Sequence, residues 1–280
     1  MRVTMKPIQS LSILFVAVIS AATLHAQVSI SPTSLFIDSQ QKFATLLVMN
    51  GTDSRQEVSL EFPFAYPDAD STGNIQMIYD DPTMEKDYSI AGSVRGFPRN
   101  FTLEPGQRQT VRMTVRPNKN LQDGVYWTRI KTISNPESPP VGPAQEGQIN
   151  PQITFKFEQV TTLFYKTGQI STGLEIRDAS VVINEEQGIV QAQVDVRGNS
   201  PYLGSMSLEI IDNTGKVVKS GRVFVSIYVD DTRQLEFDLA DLEPGDYTAN
   251  LTFKTERADI PQDDIVQAQP VSKRVQFTLR

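Results

Sequence analysis

The sequence predicts an all-β protein made of two β-sandwich domains in tandem, and three observations lead there. From Val28 onward apolar residues recur at every second position, the pattern of strands with one buried face, and no long segment carries a 3.6-residue period. The alternation breaks near residues 166–172 and then restarts. Turn-forming pairs punctuate both halves: Asn50-Gly51, Pro105-Gly106, Asp123-Gly124, Asn213-Thr214-Gly215 and Pro244-Gly245. The chain has 280 residues, enough for two domains that each bury a core.

The N-terminal segment is set apart from both domains. Arg2 and Lys6 precede a largely apolar run over residues 11–24, followed by His25, Ala26 and Gln27, which is the order of a secretory signal peptide. The run is shorter than the roughly 20 residues that span a bilayer, and no later stretch is apolar enough to do so. Cleavage is expected after Ala26, with Ala22 as the alternative site. The expected division is a signal peptide over residues 1–26, an N-terminal domain over 27–168 and a C-terminal domain over 169–280.

Strands are expected in the first domain at residues 34–37, 43–49, 57–62, 110–115, 125–133 and 152–165. In the second they are expected at 174–183, 189–196, 205–211, 217–227, 233–239, 247–253 and 272–279. About seven short strands per half is the count of an immunoglobulin-like sandwich. Tyr126 and Tyr247 each follow a Gly-containing turn and open an apolar strand, which fits the tyrosine corner of such sandwiches as well as it fits ordinary core tyrosines. Two segments interrupt the rhythm and are expected as long loops: an acidic one over residues 66–96 and a Pro-rich one over 135–147.

Composition removes many chemistries. There is no cysteine, and the one histidine, His25, lies in the segment expected to be cleaved. A chain without thiolate or imidazole has no Ser-His-Asp or Cys-His nucleophile and none of the usual zinc ligand sets. The formal charge of −7 argues against binding a phosphate backbone, so no nucleic-acid partner is expected. Asp68, Asp70, Thr72, Gly73 and Asn74 resemble the start of a calcium loop, but the twelfth position is Tyr79 where a bidentate Glu is required. The doublets Glu185-Glu186, Asp230-Asp231 and Asp263-Asp264 fall in expected turns, where carboxylates face water. No enzyme activity, cofactor or metal is expected.

The informative segment runs over residues 149–165. Beyond Ile149, the large apolar residues Ile153, Phe155 and Phe157 alternate with Thr154, Lys156 and Glu158. Such a row either fills the domain's own core or offers an exposed edge to another chain.

Several motifs give the chain a resemblance to the periplasmic pilus-assembly chaperones of the chaperone/usher pathway, of which it looks like a divergent member. They are the opening residues 28–37 (VSISPTSLFI), Val48-Met49-Asn50, the turn at 103–107 (LEPGQ) leading into Val111-Arg112-Met113, Gly124-Val125-Tyr126-Trp127, Thr162-Leu163-Phe164-Tyr165-Lys166, and Asn199-Ser200-Pro201-Tyr202. The resemblance implies a non-enzymatic periplasmic protein that caps pilus, fimbrial or other surface-assembly subunits by lending them an edge strand. The matching donor residues are Ile153, Phe155 and Phe157, with Ile149 before them, and an outer-membrane usher is a further implied partner. The family's two basic anchors for a subunit carboxylate fall here on Ser34 and Thr162, neither of which carries a charge. The alternative is a cell-surface or adhesion protein of the same fold without chaperone activity.

Overall fold

A computed structural model describes residues 27–117, 121–137, 155–184 and 187–280. The expected signal segment therefore lies outside the described residues. The first sandwich packs two sheets. One has the order β1 (Val28–Ser31), β3 (Phe43–Asn50), β9 (Arg108–Val115), β7 (Val94–Phe97). The other has the order β2 (Ser34–Ile37), β11 (Phe157–Thr167), β10 (Gly124–Pro136), β4 (Gln56–Glu61), β8 (Asn100–Leu103). The opening strand changes sheets at Pro32-Thr33: β1 pairs antiparallel with β3, whereas β2 runs parallel to β11.

The second sandwich packs β12 (Thr172–Ile183), β13 (Gln187–Gly198) and β16 (Asp231–Asp238) against β15 (Val217–Ile227), β14 (Tyr202–Ile211), β17 (Gly245–Lys254) and β18 (Val271–Leu279). The chain is thus all-β with two tandem immunoglobulin-like sandwiches.

The alternation in sequence becomes the burial pattern. On β3, Ala44, Leu46 and Val48 face inward while Phe43, Thr45 and Leu47 face out. With Val58, Leu60, Val111, Met113, Ile130 and Leu163 they form the first core. Val190, Ala192 and Val194 of β13, Leu208 and Ile210 of β14 and Leu251 and Phe253 of β17 build the second. Asn50 ends β3 fully buried, donating through Nδ2 to the carbonyls of Leu103 (3.0 Å) and Ser54 (2.8 Å), so its side chain serves as a structural tie.

Both tyrosines close corners. The Tyr126 hydroxyl donates to the Gln122 carbonyl at 3.1 Å and that of Tyr247 to the Glu243 carbonyl at 2.7 Å, each four residues upstream.

A third cluster seals the two sandwiches together. Phe36, Phe64, Tyr66, Val125, Trp127 and Phe164 of the first meet Leu203, Tyr228, Ile260 and Ile265 of the second. This is why β10 is buried on both faces: Ile130 points into the first core, while Val125 and Trp127 point into the joint. The link turns at Gly168, with φ +66°, where an added Cβ would strike the Asp123 carboxylate.

The acidic segment expected as a loop is folded. It forms a hairpin, β5 (Tyr66–Ala69) and β6 (Ile75–Ile78), then a short helix α1 (Pro82–Tyr88), a 3₁₀ turn and β7. The Asp70 carboxylate accepts from the Thr72 and Asn74 amides and the Thr72 hydroxyl, which holds it near 2, well below the usual carboxylate range. Its lone pairs close the hairpin turn. Among the described residues no group of three or more potential ligands could hold a metal ion.

Candidate functional site

β11 is the strand on which the site is built. On one side it pairs with β10 along its whole length, from Phe157 opposite Ser134 to Thr167 opposite Gly124. On the other side β2 covers only Thr162–Tyr165. Among the described residues, the ladder positions from Phe157 to Thr161 have no strand on that side, so a stretch of backbone donors and acceptors lies at an open sheet edge.

The predicted donor residues fall at the start of this edge. Phe157 is the first residue of β11 and is half-buried; Phe155 precedes the strand and is 65% exposed. Neither belongs to the first core, whose β11 members are Leu163 and Tyr165. Ile149 and Ile153 lie outside the described residues. β11 begins at Phe157 rather than near residue 152. Val160, on the outer face of the same strand, is exposed as well.

Charges gather beside the edge. Lys131 Nζ is 2.7 Å from Glu158, which also receives Lys156 at 2.8 Å. The hydrogen bond from Lys131 holds the Glu158 carboxyl below its ordinary value, and Glu158 raises Lys131 in return. Glu158 and Lys156 are solvent-exposed and Lys131 is partly covered, so these pairs add little to the stability of the fold.

Ser34 and Thr162 are register partners on neighbouring strands, so the two positions matched to basic anchors do lie side by side. The cation there is one that sequence reading missed. Arg129 of β10 stands opposite Thr162 and is only 7% exposed. Its Nε donates to the Ala65 carbonyl at 2.9 Å, its Nη1 bonds the Thr162 hydroxyl, and its guanidinium lies 5.3 Å from the centre of the Tyr228 ring. Nη2 is buried without a partner. The signal in the sequence was the charge at Arg129, which by period two shares its strand face with the apolar Val125 and Trp127, a place where only a positioned side chain is tolerated.

Lys166 is committed elsewhere. Its ammonium donates to the Asp264 carbonyl of the second sandwich at 2.5 Å and lies 4.8 Å from the Phe36 ring centre, and burial lowers its pKa. It ties the domains together.

The first sandwich therefore carries an open edge at the start of β11 and, farther along the same strand, the interdomain joint. Phe36 and Phe164 stack at 5.0 Å, Trp127 meets Tyr228 at 4.8 Å and Tyr88 at 5.0 Å, and the Trp127 indole donates to the Ala65 carbonyl at 3.2 Å. Among the described residues, no helix is long and apolar enough to cross a membrane.

No protein-family model matches the sequence, and no curated protein matches it. Among solved structures the chain is similar to the YadV chaperone, with 12% identity and a TM-score of 0.46 over 89% of this chain and 100% of that one. It is also similar to a chain of the CsuC–CsuE chaperone–tip adhesion subunit pre-assembly complex from the archaic Csu pili of Acinetobacter baumannii, with 11% identity and a TM-score of 0.44 over 88% and 98%. A third is the Escherichia coli chaperone DraB, with 12% identity and a TM-score of 0.41 over 91% and 98%.

Proposed function

We propose that this chain is an exported, periplasmic, non-enzymatic binder that caps pilus or other surface-assembly subunits by lending them the open edge of β11. The observation that carries the reading is the interrupted pairing of that strand: β2 seals Thr162–Tyr165 and, among the described residues, the ladder positions from Phe157 to Thr161 have no second neighbour. An extended segment laid along this edge would form main-chain hydrogen bonds, while alternate side chains fill its pockets. Phe155 is already exposed, so seating it against an apolar partner groove removes its ring from water. Phe157, Ile153 and Ile149 continue the same alternation. No nucleotide is needed, because binding energy does the work.

The joint supports this role by fixing the edge. β10 and β11 are clamped between the first core and the aromatic cluster, so the donor strand is presented in one orientation and less ordering entropy is lost on capture. Ser34 and Thr162 cannot clamp a carboxylate by charge, and Arg129 is engaged inward, so affinity rests on strand pairing and apolar contacts.

The test places a photo-crosslinking amino acid at Val160 in the native host. Crosslinks to small secreted subunits that disappear in the Phe155→Asp/Phe157→Asp variant, with that variant still folded by circular dichroism, support the reading. The same crosslinked species in both chains overturns it.

A further inference from the structure

The hairpin β5–β6 is apolar on the wrong side. Pairing Pro67 with Met77 and Ala69 with Ile75 puts these four residues on one face. The opposite face carries Tyr66 and Ile78, which reach the interdomain cluster, and then Asp68 and Gln76. A hairpin lying on a protein surface ordinarily turns its polar residues outward, yet here Ile75 is 60% exposed and Met77 39%. Tyr79, next in the same alternation, is 44% exposed.

This face is held in place. The Tyr66 hydroxyl donates to Asp81 at 2.7 Å, and Asp81 also caps α1. At the tip, Gln191 of the second sandwich donates to the Thr72 carbonyl at 3.1 Å. Gly73, with φ +90°, lies against the Gln234 side chain, where an added Cβ would come within 3.1 Å. β6 pairs only with β5 among the described residues, so its outer edge is open too.

Two features define what would cover the face. Residues 66–96 carry Asp68, Asp70, Asp80, Asp81, Glu85 and Asp87 against only Lys86 and Arg95, so its surroundings are acidic. The hairpin also springs from the sheet beside that edge: the Ala65 carbonyl, just before β5, accepts from the Trp127 indole at 3.2 Å and from Arg129 Nε at 2.9 Å, and Arg129 in turn bonds the Thr162 hydroxyl of β11, next to the open stretch. We infer that the β5–β6 hairpin is a second docking surface for the subunit captured at β11, taking an extended apolar segment of it flanked by Lys or Arg. The apolar side chains would cover Ile75, Met77 and Tyr79 while the basic flanks meet Asp70 and Asp80. This rests on the strand-donation reading for the identity of the partner.

The experiment measures binding of a labelled peptide of alternating Val and Thr flanked by Lys pairs, and of its Glu-flanked counterpart, by fluorescence anisotropy. The full secreted chain is compared with Ile75→Asp/Met77→Asp, the milder Ile75→Ser/Met77→Ser, and Phe155→Asp/Phe157→Asp, each checked for native Trp127 emission. The expected result is that the Lys-flanked peptide binds the wild type better than the Glu-flanked one and that both hairpin variants weaken it about tenfold or more. Equal binding of the two peptides, or unchanged binding to both hairpin variants, overturns the inference. Loss in Phe155→Asp/Phe157→Asp with no loss in the hairpin variants leaves strand donation standing alone; the reverse leaves the hairpin as a surface independent of it.

Discussion

Tyr228→Ala is the sharpest probe of the interdomain joint, because one side chain of the second sandwich fills the gap over β10 and β11. Tyr228 is 8% exposed, and its ring centre lies 4.8 Å from that of Trp127, 6.4 Å from those of Phe164 and Tyr66, and 5.3 Å from the Arg129 guanidinium. A buried tyrosine covers about 150–250 Å², worth about 4–6 kcal/mol at roughly 25 cal/mol/Å². Alanine keeps the Cβ, which brings the expected loss to about 3–5 kcal/mol, in line with aromatic truncations in cores. Losing the ring also strips cover from the Arg129 cation, for a further ~0.5–2 kcal/mol.

The loss should fall on the joint and spare the two sandwich cores, to which Tyr228 does not belong. Trp127 is the only tryptophan, so its emission reports this place directly. The expected outcome is a red-shifted Trp127 emission with retained β circular dichroism, and calorimetric unfolding that begins at least about 6 °C lower, at roughly 2–4 °C per kcal/mol. Unchanged emission together with a shift under about 2 °C would refute the claim that this ring holds the domains together.

Other substitutions test separate parts of the account. Asn50→Ala removes a side-chain donor from the buried Leu103 carbonyl and from the more exposed Ser54 carbonyl and should cost about 1–3 kcal/mol in urea unfolding, with Asn50→Asp no better, since a carboxylate cannot donate. Gly168→Ala forces a side chain into a left-handed turn against Asp123 and should lower stability by about 1–3 kcal/mol, whereas Gly106→Ala, with open space around it, should cost less.

Burial pushes the Asp231 carboxyl up to about 7 from an ordinary 3.8, despite its contact with Arg233 at 2.6 Å, with Asp68 and Asp230 adding to the rise. A carboxyl whose folded value is raised favours the folded state in acid, and that advantage erodes as pH climbs from about 4 toward 7. The melting temperature of the wild type relative to Asp231→Asn should therefore fall between pH 5 and pH 7.5. A difference that stays flat or rises contradicts the assignment.

Most of the sandwich strands could be read from the sequence because long strands repeat the alternation several times. β3, β13 and β16 each show it over eight or more residues, and the turns before Tyr126 and Tyr247 mark their corners. The hairpin β5–β6 could not be read in this way. Its strands are four residues long, too few periods to count, and its apolar face points outward, so the usual rule linking apolar residues to a buried face fails there. β8 was missed for its length and its polar Asn100 and Thr102. At the candidate site, sequence pattern marked Phe155 and Phe157, and the resemblance marked Ser34 and Thr162. Arg129 escaped because its partners, the Ala65 carbonyl and Thr162, come from segments 64 and 33 residues away in the chain.

Amide hydrogen exchange of the chain, free and bound to a subunit obtained by the Val160 crosslink, tests strand donation most directly. Within Phe157–Thr161, the amides that point away from β10 should exchange readily when free and become strongly protected in the complex, while those already bonded to β10 and those of Thr162–Tyr165, paired with β2 as well, should change little. Protection that appears elsewhere and leaves Phe157–Thr161 unchanged would contradict the account.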